Sequence, residues 1–209
     1  MEHYRQVVAT DASKVQLERA TPHPRILYLH TPPTAKDDEL ASLIGGENSV
    51  DLITVAQAVH WLDLPTFYPL ASRLLRKPGG VIAVWCYNSP AVNPEFDAAM
   101  EAFFHTTLPY RERNANHVFD EYKSLPFPFE SVGLGSEGNP VAMDIPKEVS
   151  FGGISRWLGS WSAVVTAKRQ GVDLLSDEVI KGLESAWGGS KLVRSVAFKA
   201  FMLAGKVKV

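Results

Sequence analysis

Three groups of residues in this chain have the types and spacing to do chemistry. The first is Asp11 in VVATDAS, an acid at the tip of a short apolar run. A carboxylate at the end of a parallel strand can accept both hydroxyls of a ribose lying in the crevice of the sheet. The same residue at the entrance to a helix can equally serve as a plain cap for the first turn. The second group lies in VDLITVAQAVHWLD, residues 50–63, where an apolar strand runs straight into Gln57, His60 and Trp61. A histidine there can take a proton from an incoming nucleophile because its ordinary pKa lies near neutrality, and Trp61 beside it can exclude water. A lone histidine can also be structural or simply exposed. The third group is aromatic and includes Phe103, Phe104, Tyr110, Trp157 and Trp161. Trp157 and Trp161 are four residues apart and so share one face of a helix. Such residues either plug a core or line a site for a flat or apolar ligand.

Other motifs are absent from the sequence. No HExxH, CxxC, GxSxG or P-loop occurs, and the pairs Gly45-Gly46 and Gly79-Gly80 follow helical segments, so they read as helix stops rather than phosphate cradles. The single cysteine, Cys86, excludes an internal disulfide and a cysteine-based zinc site, and no metal is expected.

The elements that must hold these residues alternate in type. Residues 6–10 read as a strand and 14–20 as a helix, with Ser13 and Gln16 forming a capping box. Strands at 26–30, 50–55 and 81–87 alternate with helices at 37–44 and 64–76. This order implies right-handed crossovers and a parallel sheet covered on both faces, and the near-continuous apolar runs VDLITV and VIAVWC fit strands buried on both sides. After residue 88 the alternation fails. A helix over 94–106, one or two short strands within 125–146, a helical stretch over 150–169 and a helix over 176–186 follow. A closing antiparallel pair, 193–203 and 206–209, is expected to turn at Ala204-Gly205. Together these elements predict a Rossmann-like, doubly wound α/β fold with a mostly parallel sheet, an antiparallel C-terminal strand and a helical, aromatic insertion over the crevice where open α/β sheets bind ligands.

Size and charge narrow the function. With 209 residues the chain suits one domain, 1–209, burying roughly 70% of its unfolded surface. Within it, 1–88 reads as the cofactor-binding half, 89–190 as the insertion and 191–209 as the strand pair. The net charge of −2, with Lys and Arg in scattered short pairs, offers no basic stripe for a phosphate backbone, so nucleic acid is not expected as a partner. No run approaches the 18 or more apolar residues of a membrane span, and MEHYRQ has neither a secretory nor a transit pattern; a cytoplasmic location is expected.

With VVATDAS, HTPP, IGGENSVDLITVAQAVHWLDLPTFY and RLLRKPGGVIAVWCYN in place, the chain resembles plant members of the class I S-adenosylmethionine-dependent methyltransferases. The likeness is to the methyltransferase type 11 small-molecule branch similar to trans-aconitate methyltransferases. LPFPFESVG, SWSAVV, SAWG and LAGKV extend it over essentially the whole chain. The resemblance implies S-adenosyl-L-methionine as cofactor, with Asp11 on its ribose, the segment at His30 and Thr31 near its adenine, and Gln57 beside its methionine part. It implies methyl transfer to an oxygen of a small metabolite, a phenol of plant specialised metabolism or a small carboxylic acid. Within that scheme His60 is the base a phenol would need, and Trp61, Trp157 and Trp161 face the acceptor. A binding domain without catalysis is the alternative function.

The sequence departs from the family at its start. Family members begin with a helix, a central strand and a glycine-rich loop, about fifty residues that have no counterpart here. An unchanged sheet would therefore leave a gap about 5 Å wide between the strands ending at Asp11 and Gln57. Those strands are expected to close on each other, to be covered by a second copy in a homodimer, or to belong to a longer product.

Overall fold

The structure is a computed structural model in which residues 3–208 are described. The first part of the chain alternates strands and helices: β1 (Val7–Asp11), α1 (Lys14–Glu18), β2 (Ile26–His30), α2 (Asp37–Ile44), β3 (Leu52–Ala56), α3 (Leu64–Leu74) and β4 (Val81–Ala91). Then come α4 (Pro94–Thr106), α5 (Asn116–Phe119), β5 (Glu130–Ser131), β6 (Val141–Ser150), α6 (Phe151–Gly159), α7 (Ser162–Arg169), α8 (Asp177–Trp187) and β7 (Val193–Lys206). The fold is the Rossmann-like α/β type expected, with alternation up to β4 and a helical region before the last strand.

Among the described residues the strands form two sheets. β1 and β2 pair in parallel with Asp11 opposite His30, while the second sheet has the order β3-β4-β7-β5, with β6 also on β7. The expected closure of β1 onto β3 is therefore not found. Packing divides the chain into two compact units, the residues up to Ile53 with Pro65–Ile82, and Thr54–Leu64 with Ala83–Lys208. Where the sequence suggests one domain with a boundary after residue 88, the boundary drawn by packing runs through β3 and β4.

In the first unit, α2 opens with Asp37, Asp38 and Glu39, where the helix dipole favours negative charge, and stops at Gly45 with φ 124°. The expected capping box at Ser13 and Gln16 does not form. Ser13 makes no side-chain cap bond, and its N–H, which Gln16 would take in such a box, donates instead to Asp11 Oδ1 at 2.7 Å.

The second unit holds the larger aromatic core. Phe96 and Trp187 are fully buried and meet edge to face at 5.0 Å, with Phe151, Ile154, Leu158 and Phe198 packed in the same cluster. Local chemistry sets the helices that build it. Asn93 caps α4 by accepting from Phe96 N–H at 2.7 Å, with Pro94 in the first turn, and α8 runs from the Ser176 cap to Gly188 in the left-handed region.

Two expectations for this region are corrected. The helical stretch 150–169 breaks into α6 and α7 at Ser160 and Trp161. Ser160 Oγ donates to Trp157 O at 2.6 Å, taking up a helix carbonyl, and Trp161 turns to extended backbone. The closing pair with a turn at Ala204-Gly205 is not present either, and Val209, part of that expected strand, lies outside the described residues. Instead β7 runs straight through Gly205, pairing antiparallel with β6 from Val193 opposite Ser150 to Met202 opposite Val141, and with β5 at Gly205 and Lys206. β6 tolerates Pro146 because β7 is its one strand partner among the described residues, so its other edge needs no donor.

Gly205 is thus small for packing rather than for a turn: a Cβ there would lie 2.7 Å from Cβ of Phe129 and 2.9 Å from the Glu130 carbonyl oxygen. Gly205→Ala is expected to destabilise the protein by about 1–3 kcal/mol in denaturant unfolding. Gly182→Ala, inside α8 with nothing within 4 Å of the new methyl, should instead stabilise it by up to about 1 kcal/mol.

Candidate active site

The C-terminal end of β3 delivers the stretch that sequence reasoning singled out. Gln57 sits at φ 53° and donates its N–H to Trp85 O at 2.8 Å. Its side-chain amide then bridges to β4, where Oε1 accepts from Tyr87 N–H at 2.8 Å and Nε2 donates to Tyr87 O at 3.3 Å. Both ends of the amide are thereby engaged, and Gln57 extends the strand pairing by a side chain. A short 3₁₀ turn, Val59–Trp61, follows, burying Val59 and His60 and leaving Trp61 40% exposed.

His60 is held by Tyr122. Its Nδ1 is 3.0 Å from the Tyr122 hydroxyl, and Tyr122 is wholly buried. The tyrosine reaches that position from a strained turn in which Glu121 (φ 66°) and Tyr122 (φ 63°) are both left-handed, each costing on the order of 1–2 kcal/mol for a non-glycine residue. Burial, and then the nearby His117, push the His60 pKa from its ordinary 6.5 down to about 4. The imidazole is neutral at physiological pH.

A cavity of about 260 Å³ opens beside His60, just below the 300–1,000 Å³ usual for drug-sized ligands. Trp61, Tyr87, Phe119, Trp157 and Trp161 give it an aromatic lining, and among the described residues no Asp or Glu lines it. Although the helix between them is broken, Trp157 and Trp161 still meet, at 5.1 Å and nearly perpendicular. Each is braced from behind, Trp157 by Phe198 and Trp161 by Phe103.

Two polar residues that sequence reasoning did not single out complete the lining. Arg111 lies over the rings of Phe104, at 3.4 Å from the centroid, and Phe119, at 4.3 Å. Its Nε and Nη2 donate to Thr107 Oγ1, and Nη2 also to Phe104 O. Burial lowers its pKa to about 10, so it stays charged at neutral pH, yet no carboxylate pairs with it among the described residues. Asn88, three residues from the end of β4, has a buried Oδ1 with no hydrogen-bond partner, a state that costs about 1–3 kcal/mol. For Asn88 a signal existed, since it follows the apolar run VIAVWCY at a strand's C-terminal end. For Arg111 and Tyr122 none did.

Asp11 and Thr31 belong to the first unit and sit side by side, with the Thr31 N–H donating to Asp11 O at 3.0 Å. Asp11 Oδ1 is occupied by Ser13 N–H, while Oδ2 and the Thr31 hydroxyl have no partner among the described residues. One free carboxylate oxygen at the tip of a parallel strand fits a ribose hydroxyl, and the free Thr31 hydroxyl fits a neighbouring polar edge. Gln57, which lines the cavity, spends one N–H and one lone pair of its amide on Tyr87, and its second N–H has no partner among the described residues.

The free acid belongs to the first unit and the aromatic cavity to the second. No family model matches the chain. It is 28% identical over 208 residues to a methyltransferase-type protein of Dictyostelium discoideum, covering 98% of this chain and 75% of that one. It is also similar to the solved structure of a protein of Anaeromyxobacter dehalogenans described as a type II methyltransferase. That likeness has 30% identity and a TM-score of 0.76, over 98% of this chain and 82% of the other. The chain belongs to the class I S-adenosylmethionine-dependent methyltransferases.

The depressed His60 pKa carries a sign. The unfolded chain binds this proton more readily than the folded one, so the contribution is complete above about pH 6.5 and is lost as pH falls toward 4, with a slope of up to about 1.4 kcal/mol per pH unit. Unfolding curves recorded across that window should show a steeper loss of stability for the wild type than for His60→Gln. Parallel curves would show that His60 is not buried as described.

Proposed function

We propose that the protein transfers the methyl group of S-adenosylmethionine to an oxygen of a small metabolite held in the cavity beside His60, and that this oxygen belongs to a carboxylate. The observation that carries the choice is a neutral, weakly basic His60 in a cavity lined by no other titratable base of suitable pKa. A phenol of pKa about 10 facing a base of pKa about 4 must give up its proton uphill by about six units, roughly 8 kcal/mol. A carboxylic acid of pKa near 4 is already ionised at neutral pH and needs no base. The resemblance in sequence leaves phenol and acid side by side; the chemistry of the cavity favours the acid.

In this reading Asp11 Oδ2 receives a ribose hydroxyl and Thr31 borders the adenine. Bound there, the cofactor supplies an electrophilic methyl group on a sulfonium. The chain's own contribution is alignment and exclusion of water by the aromatic walls, which is where an in-line displacement gains most. The carboxylate oxygen forms the new C–O bond as the methyl–sulfur bond breaks with its electrons to sulfur, and no proton moves. His60 donates or accepts one hydrogen bond at Nε2 without changing charge.

Methyl-labelled S-adenosylmethionine incubated with an aromatic hydroxy acid tests this. Esters release their methyl group as methanol in mild alkali and aryl ethers do not, so alkali-labile label is expected, and alkali-stable label would restore the phenol. His60→Gln should keep turnover within about tenfold, whereas loss of a true general base would cost 10²–10⁴. Asp11→Ala should weaken cofactor binding in calorimetry by about tenfold. Absence of any heat at millimolar S-adenosylmethionine would favour the binding domain without catalysis.

A further inference from the structure

We propose that Arg111 selects the acceptor as a monocarboxylic acid with a flat apolar body. Its carboxylate bonds to Nη1 of Arg111. The identity of the methylated oxygen rests on the function proposed above; the binding does not.

The argument begins with a cation that lacks a counterion. Arg111 is half-buried against two phenylalanine rings that meet edge to face, makes no ion pair among the described residues, and lines a cavity in which no carboxylate is found among the described residues. A charge taken out of water without a partner is costly, so the complementary charge is supplied by what binds. Nε and Nη2 are already committed to Thr107 and Phe104, which leaves Nη1 as the nitrogen without a partner among the described residues. The two-nitrogen fork that grips both oxygens of a carboxylate through Nε and Nη2 is therefore not available. One oxygen is held at Nη1, and the other keeps its lone pair for the methyl group.

The rest of the lining limits the ligand. No other Lys or Arg lines the cavity, and His60 beside it is uncharged at neutral pH. A second carboxylate would be desolvated against aromatic walls with nothing to pair it. Trp157 and Trp161, perpendicular at 5.1 Å, offer one face and one edge, which suits a planar body. Methylation removes the carboxylate's charge, so the same Arg111 that holds the acid has little hold on the ester.

Titration calorimetry of the whole chain without methyl donor tests the proposal with four probes: 4-hydroxyphenylacetate, phenylacetate, methyl 4-hydroxyphenylacetate and glutarate. 4-Hydroxyphenylacetate and phenylacetate should each bind at least tenfold more tightly than methyl 4-hydroxyphenylacetate and than glutarate. Arg111→Gln should abolish the preference for acid over ester. Should Arg111→Gln fail to fold, the wild-type ratio of acid to ester decides. Equal binding of acid and ester, tighter binding of glutarate, an unchanged acid preference in a folded Arg111→Gln, or no binding of any probe would overturn the proposal. Acids that bind as stated but receive no label would sink methyl transfer and leave this inference standing. Label carried to a neutral acceptor, with equal rates in Arg111→Gln, would overturn this inference and the carboxylate acceptor while leaving methyl transfer itself.

Discussion

The contact between His60 and Tyr122 decides what the cavity can do. Tyr122 is fully buried and its hydroxyl lies 3.0 Å from Nδ1, so the imidazole is packed away from water with one nitrogen already occupied. Desolvation disfavours the charged ring, and His117 opposes it further. From that one constraint follow an uncharged His60 beside the cavity and a weak base, the basis on which an already ionised acceptor is proposed above. The left-handed pair Glu121 and Tyr122 shows that the backbone gives up conformational ease to hold the phenol there, and strain of this kind gathers at functional sites.

Around that contact the second unit is organised by one long strand. β7 carries β6 along most of one edge and β5 at its end, and its buried Val196 and Phe198 join the core beneath α6 and α8. Because Phe198 also meets the Trp157 ring at 5.4 Å, the sheet core and the cavity wall are the same layer. Loss of packing at β7 would loosen the aromatic wall before it reached His60.

Legibility in the sequence followed the range of the interactions. The elements up to β4 could be read because each is set locally, by an apolar run, an acidic first turn or a glycine stop. The break between α6 and α7 could not, because it comes from one serine hydroxyl taking up the Trp157 carbonyl while the apolar spacing continues across it. Ala204-Gly205 imitates a turn, yet Gly205 is small because Phe129 and Glu130 press against it from β5, some 75 residues earlier in the chain. The site divides the same way. The spacing of HW in VAQAVHWLD and of the two tryptophans placed His60, Trp61, Trp157 and Trp161 as candidates, and the structure brings all four into one cavity. Arg111 carries no sequence signal, since its unpaired charge is a property of what the fold puts around it. Asp11 retains both of its sequence readings, one oxygen on the turn and the other open.

A cavity of this kind acts on charge as well as on shape. An anionic acceptor approaching a sulfonium methyl forms neutral products from two opposite charges, so the transition state carries less charge than the reactants. Water stabilises the separated charges most and so holds such a reaction back; aromatic walls that replace it remove that penalty. In the binding mode proposed above, Arg111 would work against the same gain, because a cation on the carboxylate lowers the energy of the reactant. Commitment of Nε and Nη2 to Thr107 and Phe104 limits that opposition, since only Nη1 faces an acid without a competing protein partner. With the acid proposed above as acceptor, the hydrogen bonds of Arg111 to Thr107 and Phe104 at the end of α4 would set a balance: enough positive charge to admit the acid, and too few donors to quench its nucleophilic oxygen.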